Sequence, residues 1–322
     1  MRRRNFIMHA STVLALSSPY RHVSAQTYPV KPIQLFVALA PGGAGDIVAR
    51  MVARKLGENM GQPVVVENRP SPVVAVATVA RAKPDGYTLM MAGSGTALSS
   101  ALFKSLPYDL LGDFTHISTM ASFDLVLLAG NQSGFNSVAD VLAYAKAHPG
   151  KLNIGTIRIG STQQLTAEMF KSMVGMDAVV VPYKTTPDVV AALRSNDVQV
   201  AMEILSPVLG QIKGKNLKAL AVTSSSRFPG MPDVPTLSES GIPGFEASSW
   251  NGISAPAETP APVVQRLAKE IEVALASPEV QRELQAIGIV ARSSSPAQMT
   301  QRMQSDMAKW KTIIEKSGIP RQ

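Results

Sequence analysis

Cysteine is absent from all 322 residues, which excludes disulfides, thiolate metal sites, a cysteine nucleophile and a lipidated N-terminal cysteine. Whatever holds this chain together must do so by packing alone. Histidine is scarce: two of the four, His9 and His22, fall near the N-terminus, leaving only His116 and His148, well apart. A His-based metal site or a Ser-His-Asp triad has little material to draw on. No stretch reaches the ~18 consecutive apolar residues of a membrane span. G-x-S-x-G and Gly-Lys-Ser/Thr are also missing, which removes the usual hydrolase elbow and the P-loop. Aromatic residues make up only 5% of the chain, too few for a stacking-based saccharide or single-strand nucleic-acid platform. What is present is ordinary for a globular α/β protein, 45% hydrophobic and 17% charged. The length fits two lobes plus a removable leader.

The first 25 residues read as that leader. Arg2, Arg3 and Arg4 precede a modest apolar run around Ile7 and Val13 to Leu16, and Val23-Ser24-Ala25 stands before Gln26. Cleavage after Ala25 and export to the periplasm are expected. Arg3-Arg4-Asn5-Phe6-Ile7 also resembles a twin-arginine signal, so both export routes stay open; a disordered basic N-terminus is the alternative. The leader holds four of the 31 basic residues and none of the 23 acidic ones, so its removal leaves 27 − 23 = +4. That surplus is spread along the chain with no Lys/Arg block. It suits attraction of small anions better than nucleic acid.

From Ile33 onward strands alternate with helices. The apolar run Ile33 to Ala40 ends in a glycine-rich turn, after which Ile47, Val48, Met51, Val52 and Leu56 recur at helical spacing. Val64 to Glu67 leads to an Ala/Val helix through Ala80, and Tyr87 to Ala92 leads to Gly93-Ser94-Gly95-Thr96. A strand near Asp124 to Ala129 precedes a Ser137-capped helix. The rhythm restarts at Leu152 with further strands at Val179 to Tyr183, Val198 to Leu205 and Leu217 to Val222. A Pro/Gly-rich passage from Arg227 to Pro262 reads as a crossover, followed by two amphipathic helices, Pro262 to Ala276 and Ser295 to Ser317. The pattern predicts an α/β fold with a mainly parallel or mixed sheet in each lobe, ligands lying outside the strands' carboxyl ends. Lobe 1 is expected at 26–126 and 251–322, lobe 2 at 127–250, with crossover strands near 124–129 and 248–254.

Pro41-Gly42-Gly43-Ala44-Gly45-Asp46 joins a strand to a helix, where glycines let free N–H groups and the helix dipole meet a carboxylate or phosphate. The alternative is a tight βα turn in which Asp46 complements the dipole. Gly93-Ser94-Gly95-Thr96 and Gly155-Thr156 through Gly160-Ser161 repeat the arrangement. Ser94, Thr96, Thr156 and Ser161 can donate hydroxyls to an anion or cap helices, and the roles can coexist.

Ordered motifs carry a resemblance over nearly the whole chain: Tyr28-Pro29-x-Lys31-Pro32-Ile33, Pro41-Gly42-Gly43-x-x-Asp46-x-x-Ala49-Arg50, Glu67-Asn68-Arg69-Pro70, Pro84-Asp85-Gly86-Tyr87-Thr88-Leu89, Val181-Pro182-Tyr183-Lys184, Leu220-Ala221-Val222-Thr223, Pro232-Asp233-Val234-Pro235-Thr236 and Pro243-Gly244-Phe245-Glu246. The chain resembles the substrate-binding proteins of tripartite tricarboxylate transporters, the Bug family. The resemblance implies a periplasmic type II two-lobe flytrap that closes on a small organic carboxylate, without catalysis, metal or cofactor. It implies membrane transporter subunits as partners; a monomer is expected. By this analogy Gly42, Gly43, Asp46, Ser94, Gly95 and Thr96 face the cleft from the first lobe, and Thr156, Ser161, Tyr183, Thr185 and Thr186 from the second.

Several positions depart from the family pattern. Ser71 to Ala77 replaces a glycine-rich segment, Ile157 and Arg158 replace Pro-Gly, Gln164 stands for His and Thr185 for Gly. Arg158 either grips a carboxylate bidentately or is an exposed loop arginine. Glu203, where the family often places Asp, either meets a ligand amine or holds a loop amide. Tyr183 donates its hydroxyl or packs at a core edge, and Trp250 fits hinge packing better than a sugar platform. Capture and delivery is the leading function; a sensor for a membrane partner and an exported α/β hydrolase are the rivals.

Overall fold

The computed structural model describes residues 28–39, 41–69 and 71–322; the expected leader lies outside them. Five-residue β1 (Ile33–Val37) buries Ile33, Leu35 and Val37. It pairs in parallel with β2 (Val64–Asn68) and β3 (Thr88–Gly93), linked by α1 (Ala44–Met60) and α2 (Pro72–Ala80). After α3 (Ser94–Leu102) comes β4 (Phe114–Gly130), seventeen residues of which all but Thr115 are buried. Such a run suits a strand covered on both faces.

β4 organises the molecule. From Phe114 to Asp124 it runs antiparallel to β9 (Ser248–Pro256), and β9 in turn pairs with β3. From Leu125 onward β4 instead pairs with β7 (Val200–Ile204) and β8 (Leu217–Val222). β7 continues in parallel to β5 (Leu152–Ile157), which pairs with β6 (Ala178–Tyr183). The path is therefore β2-β1-β3-β9-β4-β7-β5-β6, with β8 and the two-residue β10 (Val290–Ala291) also on β4. Each half of the sheet is mixed: three parallel strands closed by antiparallel ones.

Helices cover both faces. α1, α8 (Ala261–Ala276) and α9 (Pro278–Ala286) bury one face of the first half; α2 and α10 (Pro296–Lys316) cover the other. On the second half α4 (Val138–Ala147) and α5 (Thr162–Val174) pack on one side, α6 (Thr186–Ser195) and α7 (Leu205–Lys213) on the other. The passage 227–247, expected as a crossover, is mostly a loop laid on this half, held by buried Phe228, Leu237, Ile242 and Phe245. Crossing proper falls to β9. A separate cluster of Leu98, Leu102, Leu165, Trp310 and Ile314 joins α3 and α10 to α5, across the two halves.

Candidate functional site

A cavity of ≈ 390 Å³ opens between the halves, at the carboxyl ends of β1, β3 and β5. β1 and β5 run through glycine-containing turns and β3 passes directly at Gly93 into a helix, so α1, α3 and α5 begin at the cavity wall: Ala44 and Gly45, Gly95 and Thr96, and Ser161, Thr162 and Gln163 all line it. The first N–H groups of a helix have no intrahelical acceptor and carry its positive dipole end. Ile157 and Arg158, at the end of β5, face this arrangement from the second half, and Asn251 of β9 reaches it from the crossover.

The turn before α1 is held from within. Gly42 adopts φ +81°, a left-handed conformation that glycine alone takes without strain. Its N–H donates to Asp46 Oδ2 at 2.9 Å; Arg50 Nε donates to the same oxygen at 2.9 Å, and Asn68 Nδ2 to Oδ1 at 2.8 Å. Asp46 is buried, and these donors hold its carboxyl below the usual range against the opposing effect of burial, the largest single influence. Gly42 and Gly43 are exposed and Asp46 is buried, and none of the three lines the cavity; their neighbours Ala44 and Gly45 do. Asp46 thus acts as the clamp that aims the N-terminus of α1.

The hydroxyls on the wall are engaged in the same manner. Thr96 Oγ1 donates to Gly93 O at 2.7 Å and accepts from Gly93 N at 2.9 Å. Ser161 Oγ donates to Ile157 O at 3.1 Å and accepts from Gln164 N at 3.1 Å, capping α5. Ser94 is wholly buried beneath the wall, where its hydroxyl accepts the Trp250 N–H at 3.0 Å. Gly93 admits no side chain: a Cβ there would lie 2.1 Å from Trp250 O.

On the second half the expected residues divide. Arg158 and Ser161 line the cavity, and Arg158 is exposed, with no carboxylate within ion-pair distance among the described residues. Thr156 is fully buried behind them, its hydroxyl without a partner. Thr185 is exposed and caps α6 through Asp188. Tyr183 borders a different surface hollow, with Lys184, Asp188 and Asp197. Glu203 is fully buried at the end of β7; its Oε2 accepts from Gln163 Nε2 at 3.4 Å, Thr186 Oγ1 at 3.3 Å and Ile204 N at 3.3 Å, while Oε1 has no partner. Burial pushes its carboxyl up to about 7. Since Gln163 and Ile204 are wall residues, Glu203 lies one layer beneath the cavity.

The wall also contains residues without a motif: Leu39, Pro72, Val76, Met91, Leu98, Leu102 and Phe123. No local pattern marks them, because each meets the others only through the fold. The Pro72 and Val76 positions were visible as a departure from the family's glycine-rich segment; in the structure they form the first turns of α2, with Pro72 at a position where a proline costs no hydrogen bond.

Two half-sheets joined by paired strands, with helix N-termini converging on the cavity between them, define a two-lobe solute-binding protein. Residues 48–319 match the family model TctC, tripartite tricarboxylate transporter family receptor, and the chain belongs to that family. Protein BugT of Bordetella pertussis is 35% identical over 300 residues, covering 92% of each chain. Among solved structures, R. palustris Rpa4515 with adipate is 31% identical with a TM-score of 0.77, covering 91% of this chain and 99% of that one. MatC from Rhodopseudomonas palustris with bound malate is 29% identical with a TM-score of 0.72, covering 89% and 100%.

Proposed function

We propose that the protein captures a small carboxylate in the cavity between its lobes and presents it to the membrane subunits of a tripartite transporter. The observation that carries this reading is the convergence of α1, α3 and α5 N-termini on one cavity in which Arg158 is the only charged side chain among the described residues. Helix N-termini favour anions, and a guanidinium adds a bidentate grip. The adipate and malate held by the two relatives fit the same chemistry.

Capture without covalent chemistry is the mechanism. Ser161 is committed to a cap, and among the described residues no His, Asp or Glu lies on the wall to activate a hydroxyl. The ligand set is read as Gly45, Gly95, Thr96, Arg158 and Ser161 in contact. Gly42, Gly43, Asp46, Ser94, Thr156, Thr185, Thr186 and Glu203 then support the site without lining the cavity. Tyr183, on a separate hollow, lies farthest from this role. Lobe 1 is assigned to 26–126 and 251–322 and lobe 2 to 127–250, a reading supported by the switch of β4 from β9 to β7 and β8 after Asp124. A monomer acting in the periplasm after removal of residues 1–25 completes the reading. Among the described residues no helix is long and apolar enough to cross a membrane.

Thermal-shift screening of a carboxylate library tests the central claim, because a ligand bound only by the folded state raises Tm. Carboxylates are expected to raise it; silence from all carboxylates alongside a shift from another solute class overturns the reading. Arg158→Ala is expected to weaken binding by about tenfold, the size of one charge-assisted hydrogen bond. Unchanged affinity removes Arg158 from the site.

A further inference from the structure

The polar and apolar parts of the cavity wall are unequally available to a solute. Hydroxyls that would serve a polyhydroxylated or polyacidic ligand are already donated to the backbone: Thr96 to Gly93 O, Ser99 to Gly95 O at 2.9 Å and Ser161 to Ile157 O. What remains is the set of helix amides, Asn251, Thr162, Ser249, Tyr108, the Gln163 amide oxygen and, as the single cation among the described residues, Arg158. That is enough for one acid group and includes no second cation for another.

The rest of the wall is hydrocarbon. Leu39, Val76, Leu98, Leu102 and Phe123 line it from the first half and Ile157 from the second. They are contributed by four separate elements, α2, α3, β4 and β5, and the turn after β1. Leu39, just beyond β1, is 42% exposed although Leu35, Phe36 and Val37 before it are buried, so its side chain has contact surface left for a solute. A short diacid or hydroxy acid would leave this lining wet and set a charged or hydroxylated end against it, at the cost of desolvation without a partner.

We infer that the solute is an amphipathic monocarboxylate, whose acid group meets Arg158 and the helix N-termini while its apolar body, a medium-length alkyl chain or a single ring, covers Leu39, Val76, Leu98, Leu102, Phe123 and Ile157. The inference rests on the carboxylate reading above and narrows it. The acid fixes orientation, and the hydrocarbon supplies most of the affinity. Each methylene moved from water to such a wall should tighten binding by about fourfold until the cavity is filled.

Calorimetry on the full chain lacking its leader provides the test, with butanoate, hexanoate and octanoate as one series and malate, adipate and phenylacetate as comparators. Affinity is expected to rise by about fourfold per methylene along the series. Hexanoate is expected to bind at least about tenfold more tightly than adipate, which has the same carbon chain but a second charge to desolvate. A flat series, or malate or adipate binding more tightly than hexanoate, overturns the monocarboxylate inference while leaving carboxylate capture intact. Failure of every acid in the panel, with binding of a non-acidic solute, overturns both.

Discussion

Asp46 and Glu203 are both buried carboxylates next to the cavity, yet their surroundings differ in a way that fixes opposite behaviour. Three donors, one of them a guanidinium, surround Asp46. Replacing it by alanine removes the acceptor that Gly42 N, Arg50 and Asn68 share, and a loss of about 2 kcal/mol is expected in chemical denaturation. Glu203 has long contacts to one oxygen and none to the other, and its carboxyl is held up at about 7. A folded-state value above the unfolded one means that the folded protein binds the extra proton, so stability falls as pH rises from about 4.5 to about 7. His116 works in the other direction: buried with only Ser254 on its Nδ1, it is pushed down to about 4, and the stability of its neutral form is lost as pH falls from 6.5 toward that value. The two slopes oppose each other over most of the mildly acidic range. Glu203→Gln should therefore be nearly neutral at pH 4.5 and stabilising by about 3 kcal/mol at pH 8, from a shift worth 1.36 kcal/mol per pH unit. Denaturant titrations at both pH values check this, and a variant no more stable at pH 8 than wild type would refute the assignment. Little of this was legible in the sequence. The Asp46 turn stood out because glycine and an acidic first turn are local signals, whereas the partners Asn68, Gln163 and Thr186 come from other elements.

At the scale of elements, capping and ligand binding meet at the start of α5. Ser161 uses its hydroxyl on Ile157 O and Gln164 N, so two substitutions separate the roles. Ser161→Ala should cost about 1 kcal/mol of stability, the usual worth of an N-cap. Ser161→Asp should retain the cap and its stability but set a negative charge against the bound acid, lowering affinity by about tenfold or more. Paired measurement of Tm and carboxylate affinity distinguishes them; unaltered affinity in Ser161→Asp would place the acid away from α5. The sequence announced α5 well, through Ser161 and the spacing of Leu165, Met169 and Phe170. It announced β4 poorly. Only Asp124 to Ala129 reads as a strand, because Thr115, His116, Ser118, Thr119 and Ser122 give the first half a polar appearance, yet most of these groups are buried and satisfied by β9, Arg292 and Ser294. Helix α9, too, was missed: it begins directly after Ser277 at Pro278, and what fixes it is the burial of Val280 and Leu284 in the core of the first half.

For the whole molecule, the cluster of Leu98, Leu102, Leu165, Trp310 and Ile314 sets the relation between the lobes. Leu165 and Trp310 are fully buried, and Gly160 lies against Leu102 closely enough that a Cβ would meet its Cδ2 at 2.8 Å. Opening the cleft must uncover this hydrocarbon. Leu165→Ala should shift the ligand-free protein toward an open form, seen as a larger radius of gyration by solution scattering, at a cost of about 3 kcal/mol in stability. No increase in radius would deny the cluster a part in closure. The two-lobe plan itself was readable from the restart of the βα rhythm at Leu152 and from the ordered motifs, since both are properties of sequence order. The cavity lining was not, because it is assembled from residues far apart along the chain. The same discontinuity governs how the molecule is made. The core around β1 joins Ile33, Leu35 and Val37 to Ile253, Leu267, Ile271 and Leu284, whereas the core of the second half draws its buried residues from Leu125 to Ala247. During synthesis the middle of the chain can therefore finish a lobe while the beginning still waits for the end. The lobe that starts first is completed last, and until β9 and its helices arrive, the first strands have no closed core to join.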